Sequence, residues 1–62
     1  MKTNYSIAAE KTRSCSTLEQ LKRREKRNEN CYNNGIFTLS EYKKLCELEM
    51  EVFAKLQDSL DN

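Results

Sequence analysis

The segment from residue 39 to residue 60 constrains the fold most, because its apolar residues cover an unusually wide part of one predicted helix. Nothing in the segment breaks a helix, and its apolar positions span roughly 200° of a helical wheel, against about 100° for an ordinary surface helix. These positions are Tyr42, Leu45, Cys46, Val52, Phe53, Leu56 and Leu60, flanked by Leu48 on one side and by Leu39 and Met50 on the other. One thin partner helix cannot cover this arc, so we expect a second copy of the chain to contribute.

The start of this helix is marked by a capping box. Thr38 is followed three residues later by Glu41, so that the hydroxyl and the carboxylate can each accept a hydrogen bond from a free backbone N–H. Phe37 precedes the cap and can pack onto Tyr42, one turn into the helix. The sequence therefore predicts a helix over residues 39–60.

A second predicted helix precedes it, over about residues 17–33. The run Ser16–Glu19 also has the capping-box pattern, with Ser16 as the expected cap. The helix ends before Gly35, which can adopt the left-handed conformation that closes a helix. Its apolar side is thin and is led by Leu18 and Leu21, so the helix needs a partner to be stable.

Residues 1–14 are the least defined segment. Tyr5, Ile7 and Ala9 alternate with the residues between them, which is the period of a half-buried strand. A short helical turn over residues 6–11 is the alternative, because Ala8, Ala9 and Glu10 are good helix formers. We favour an extended N-terminal arm or short strand.

These patterns predict an all-α fold in a single domain. A two-helix hairpin, with helices over about 17–33 and 39–60, occupies residues 15–62 and follows the arm at 1–14. A chain of 62 residues has only a marginal core, so we expect homodimerisation to complete the fold. The expected core and dimer residues are Leu18, Leu21, Phe37, Tyr42, Leu45, Val52, Phe53, Leu56 and Leu60.

Charge is distributed unevenly along the chain. Residues 1–31 carry eight Lys and Arg against four Glu, whereas residues 32–62 carry three Lys against six acidic residues. The two halves attract each other, so we expect the basic helix to pair mainly with the acidic one. Glu49 lies in the middle of the apolar arc and requires an arginine or lysine partner. The alternative is contact with nucleic acid through the candidate residues Lys22, Arg23, Lys26 and Arg27.

The composition argues against an enzyme and against a cofactor. There is no histidine for acid–base or nucleophile chemistry, and the single glycine cannot build a phosphate-binding loop. Three cysteines without a CxxC pair indicate a reduced, cytoplasmic setting, and a zinc site would need a carboxylate as its fourth ligand. No stretch of 18 apolar residues is present, and the N-terminus lacks the apolar run of a signal peptide, so no membrane association is expected.

The whole chain resembles the very small early proteins of lambda-like temperate bacteriophages, those encoded between the exonuclease and excisionase genes. Its length, its Lys- and Asn-rich composition and its two capped helices around the run 33–35 carry this resemblance. The resemblance implies a dimer with two helices and one strand per chain, and a role in promoting lytic development in a bacterial host. Shorter stretches are similar to the Hha/YmoA family of nucleoid-protein modulators, namely Lys2–Tyr5, Cys15, Thr17–Glu19, Leu21 and Leu39–Glu41.

The expected function is that of a small non-enzymatic regulator acting by protein–protein contact. The partner is a host or phage protein, and an amphipathic helix suits a groove left between the helices of a dimer. Residues that flank the predicted core are the candidates to line this groove: Tyr5, Ile7, Leu48 and Met50. Nucleic-acid or nucleoid-protein modulation through the basic helix is the alternative.

Overall fold

The computed structural model describes residues 3–60, and their side chains up to residue 58. Within this range the chain forms three helices: α1 (Asn4–Arg13), α2 (Leu18–Asn33) and α3 (Leu39–Leu60). All three pack against one another as a compact three-helix bundle, and the described residues contain no strand. The predicted boundaries of the second and third of these helices agree with the structure.

The predicted extended arm or short strand is wrong, because this part of the chain forms α1. Thr3 caps the helix, its hydroxyl accepting a hydrogen bond from the N–H of Ser6 at 3.1 Å. Tyr5, Ala8 and Ala9 are spaced by one helical turn and pack into the core. The helical spacing of these residues, and not the alternation at every second residue, therefore determines the structure of this segment.

The predicted two-helix hairpin completed by homodimerisation is also wrong. α1 lies against α3 and, together with α2, covers much of the apolar arc that a second chain was expected to cover. The resulting core cluster joins Ala8 and Ala9 of α1 to Phe37 and Leu45, with Leu45 fully buried. Small alanine side chains let α1 approach closely, so ten residues of helix are enough to close the bundle within one chain.

The two capping predictions have different outcomes. At α3 the box is confirmed, since Thr38 N–H donates to Glu41 Oε1 at 3.0 Å and Glu41 N–H donates to Thr38 Oγ1 at 3.2 Å. At α2 the predicted Ser16 cap is wrong by one residue. Thr17 is the cap and accepts from the N–H of Gln20, whose side chain in turn accepts from the N–H of Ser16 at 2.8 Å.

The connection between α2 and α3 depends on Gly35. This residue has φ of +80°, as the sequence predicts for the end of α2. Its N–H donates to the carbonyl of Tyr32, and the N–H of Ile36 donates to the carbonyl of Cys31 at 2.9 Å. The turn directs Phe37 into the core and brings the rings of Tyr32 and Tyr42 into a stack with centroids 4.4 Å apart.

Candidate partner-binding groove

Two adjoining shallow cavities lie along α2, and together we call them the α1–α2 groove. The first, of approximately 180 Å³, lies between α1, α2 and the loop before α3. Its lining residues are Asn4, Ile7, Ala8, Lys11, Arg24, Arg27, Cys31, Ile36 and Phe37. The second, of approximately 340 Å³, is lined by Cys15, Gln20, Arg23, Arg24 and Arg27. Arg24 and Arg27 line both cavities and so join them into one surface.

The groove combines positive charge with an apolar wall. Lys11, Arg24 and Arg27 supply cations from two helices, and none of the described carboxylates lines either cavity. Ile7 and Ile36 are 39% and 45% exposed on the same surface. A ligand that carries both anionic and apolar groups would therefore find partners for each in this groove.

A buried polar cluster formed by Thr12, Asn28 and Glu49 lies behind the groove, with one residue from each helix. The Asn28 Nδ2 group donates to Glu49 Oε2 at 2.7 Å and to Thr12 Oγ1 at 3.2 Å. The Thr12 hydroxyl donates to the carbonyl of Ala8 at 2.8 Å. Arg24 connects the cluster to the groove, because its Nε–H donates to Asn28 Oδ1 at 3.0 Å.

Burial sets the chemistry of this cluster. Thr12 and Asn28 are fully buried, and Glu49 is only 8% exposed. Burial is the main cause that raises the pKa of the Glu49 carboxyl above its usual range; the hydrogen bond from Asn28 lowers it, while nearby Glu25 raises it further. Glu49 was predicted to have an arginine or lysine partner; its hydrogen bond comes instead from the Asn28 amide, while the charge of Arg24 acts on it without a direct hydrogen bond and lowers its pKa.

The cations predicted to contact nucleic acid are all exposed: Lys22, Arg23, Lys26 and Arg27. Arg23 forms an ion pair with Glu19 at 3.0 Å within the same helix, and both side chains are more than three-quarters exposed. No ion pair between described residues joins α2 to α3. The expected pairing of the basic helix with the acidic one is therefore not found there, and this basic face points to solvent.

The residues predicted to line a partner groove occupy three different environments. Ile7 lines the α1–α2 groove, whereas Tyr5 and Leu48 are half-buried against the core cluster. Met50 is 70% exposed on α3 and lines neither cavity. The structure thus brings only Ile7 to the groove.

The residues predicted for the core and dimer also divide by burial. Four of them are buried: Leu21, Phe37, Leu45 and Val52. Three are half-buried: Leu18, Tyr42 and Leu56. Phe53 is 40% exposed, and it lies on α3 with the exposed Leu39 and Met50, a surface we call the α3 stripe. The side chain of Leu60 lies outside the described residues.

Sequence reasoning missed Lys11, Asn28 and Ile36 as site residues. A signal for Asn28 was present, since Arg24 and Asn28 interrupt the apolar side of α2 at one-turn spacing and Glu49 interrupts that of α3. Polar residues at core positions of two helices are expected to meet. Lys11 and Ile36 carried no such signal, because only the packing of α1 brings them beside α2.

The cysteines form neither a disulfide nor a metal site within the described residues. Cys15, Cys31 and Cys46 are free and half-buried. Burial raises the pKa of the Cys15 and Cys46 thiols, which disfavours the reactive thiolate. No group of three metal-ligating side chains is found in this part of the chain.

None of the described helices is both long enough and apolar enough to cross a membrane. A scan against protein-family models finds no match to the chain, and neither do searches of curated proteins and of solved structures.

Proposed function

We propose that this protein is a non-enzymatic regulator that binds an acidic segment of another protein in the α1–α2 groove. The observation that supports the proposal most is the placement of Lys11, Arg24 and Arg27 around the exposed apolar residues Ile7 and Ile36. Mixed charged and apolar surfaces of this kind suit an amphipathic helix, whose apolar face packs into the groove while its carboxylates meet the rim.

The biological setting of the proposal comes from the sequence. The resemblance to early proteins of temperate phages supports a role in promoting lytic development, with a host or phage protein as the partner in the bacterial cytoplasm. No catalytic step is assigned to the chain, since its only buried carboxyl, among the described residues, is held in a structural cluster behind the groove.

Binding of an acidic amphipathic peptide tests this function. The probe is a helical peptide with leucines on one face and glutamates on the other, titrated into the protein by calorimetry. We expect the double variant Lys11→Glu and Arg27→Glu to bind roughly tenfold more weakly, because two exposed charge pairs worth roughly 0.2–1 kcal/mol each are lost and the new carboxylates repel those of the peptide.

The matched control is the double variant Lys43→Glu and Lys55→Glu, which changes the net charge equally but alters exposed residues of α3 outside both cavities. We expect it to bind within about threefold of the parent, since neither lysine lines the groove and salt screens exposed charges that do not contact the peptide. Equal weakening by both variants would show that only net charge matters. No binding to the parent protein would refute the proposed function.

Nucleic-acid binding is a second candidate, favoured by the exposure of Lys22, Arg23, Lys26 and Arg27 on one helix. If these residues follow a phosphate backbone, affinity for duplex DNA falls with salt with a slope of about −0.9 per phosphate neutralised. We expect weak binding even at roughly 50 mM salt, because acidic residues interleave with the cations. Tight binding that collapses at roughly 200 mM salt, and that is lost in Arg23→Glu with Arg27→Glu, would favour this candidate instead.

A further inference from the structure

We infer that Arg24 is a preorganised carboxylate-binding residue of the α1–α2 groove, held in position by the buried polar cluster. The inference rests on the proposed function and names the contact that would anchor the acidic segment. Arg24 lies in the basic run of α2 but was not among the four residues predicted to contact nucleic acid. Arg24 lines both cavities, as Arg27 does, but it differs from the other cations of α2 in being half-buried and in donating to Asn28.

The guanidinium of Arg24 is hydrogen-bonded at its Nε–H, whereas its two terminal nitrogens have no hydrogen-bond partner among the described residues. Its Nε–H is used in the hydrogen bond to Asn28 Oδ1 at 3.0 Å, and the side chain is half-buried. No hydrogen bond to another described residue uses its Nη1 or Nη2 atoms. These two terminal nitrogens therefore keep their donors for a ligand, and a paired set of N–H donors matches the two oxygens of a carboxylate.

The buried polar cluster fixes the orientation of Asn28 and, through it, of Arg24. Both hydrogens of the Asn28 amide are used, one toward Glu49 and one toward Thr12. A rotated amide would turn its oxygen toward the Glu49 carboxylate, so Oδ1 has to face Arg24. Residues of all three helices thus hold one side chain of the groove, and an arginine positioned before binding loses less conformational entropy when the ligand arrives.

Arg23 provides the internal comparison on the same helix. Its side chain is 79% exposed, and its Nη2 donates to Glu19 at 3.0 Å. A ligand at Arg23 would have to displace that pair and would bind at a side chain that is largely exposed to solvent. The contrast predicts that the two neighbouring arginines contribute unequally, although their charges are identical and both line the second cavity.

The test replaces Arg24 by lysine, which retains the charge but removes both the Nε–H bond to Asn28 and the paired donors. Arg13→Lys is the matched control, because Arg13 is exposed at the end of α1 and lines neither cavity. We expect Arg24→Lys to weaken binding of the acidic amphipathic peptide about tenfold, and Arg13→Lys to change it less than about twofold.

A second measurement uses the parent protein and inorganic phosphate, with the NMR resonance of the Arg24 Nε–H group as the readout. We expect phosphate to shift this resonance more than that of Arg23. Equal peptide binding by Arg24→Lys and the parent would overturn the inference while leaving the proposed function intact. If the peptide does not bind the parent at all, the proposed function fails, and the phosphate titration decides the inference: a selective Arg24 shift supports it, and no shift overturns it.

Discussion

Replacing Leu45 by aspartate is expected to unfold the protein, whereas the same replacement of Phe53 leaves it folded. Leu45 is fully buried among residues from α1 and the loop before α3, so a carboxylate there has no water and no partner. Truncating a buried leucine alone costs about 2–5 kcal/mol. A hydrophobic core of this size rarely supplies more than about 3–5 kcal/mol of folding stability. The cost of burying the added charge therefore exceeds the stability that is left after the leucine side chain is lost.

Phe53 is the matched control, because it lies on the same helix and receives the same charge but is 40% exposed. Thermal unfolding followed by circular dichroism separates the two variants. We expect no cooperative transition for Leu45→Asp and a helical, cooperatively melting protein for Phe53→Asp. Unfolding of both variants would contradict the bundle, in which α1 and α2 leave the α3 stripe uncovered.

The Phe53→Asp variant also tests for a homodimer. Since one chain completes the bundle, we propose that a homodimer would form through the α3 stripe. Leu39, Met50 and Phe53 expose apolar surface there that a second copy can cover. Light scattering is expected to give twice the chain mass of 7.3 kDa for the parent and a single chain for the variant. A monomeric parent at micromolar concentration would refute the homodimer.

Replacing Asn28 by aspartate is expected to destabilise the protein by about 1–3 kcal/mol at neutral pH, the cost of leaving a buried polar group without its hydrogen-bond donor. The Asn28 amide donates to Glu49 at 2.7 Å, so the variant replaces a donor with a second carboxylate at hydrogen-bond distance. It also removes the donor to Thr12. Two buried carboxylates cannot both be ionised at low cost, and the pair is expected to retain a proton.

The pH dependence follows from the pKa of Glu49, which burial raises in the folded state. A carboxyl with a higher pKa in the folded than in the unfolded state binds more protons when folded, so its contribution favours folding in acid. That contribution is fully present below the unfolded pKa and is lost as pH rises through the folded pKa. The Asn28→Asp variant is expected to show a steeper dependence of the same sign.

Urea unfolding across pH 4–8 measures this effect. Glu49→Gln, which cannot ionise, is expected to flatten the profile relative to the parent. Glu47→Gln is the control, since Glu47 is exposed on the same helix and the substitution should leave the profile unchanged. An Asn28→Asp variant as stable as the parent at neutral pH, or with a flat profile, would contradict the buried polar cluster.

Much of α2 and α3 was predictable, because capping residues, a terminating glycine and apolar periodicity are local signals. The Thr38 and Glu41 box illustrates this. The cap of α2 is Thr17 rather than Ser16, and the Gln20 side chain accepts a hydrogen bond from the N–H of Ser16, the residue before the cap.

Helix α1 was predicted only as the alternative, because alternation over a few residues favoured a strand whereas Ala8, Ala9 and Glu10 favoured a helical turn. Its small core-facing residues, Ala8 and Ala9, stabilise the helix by packing against α3, and this tertiary contact is not visible in the local sequence.

The candidate groove was predictable only in part. Its arginines lie in a basic run that the sequence makes conspicuous, and Ile7 was among the residues expected to line a groove. Which of the arginines is held in place depends on Asn28, Glu49 and Thr12, which are far apart in sequence. Such a cluster forms through tertiary packing, which local patterns do not report.

The most direct test of the proposed function is chemical-shift mapping of the ¹⁵N-labelled protein during titration with the acidic amphipathic peptide. The largest changes are expected at Ile7, Lys11 and Ile36, which three separate elements bring together at the groove. Backbone signals of Met50 on the α3 stripe should stay unchanged. Changes centred on the α3 stripe, or confined to the exposed face of α2 without Ile7 and Ile36, would contradict the assignment of the groove as the partner-binding site.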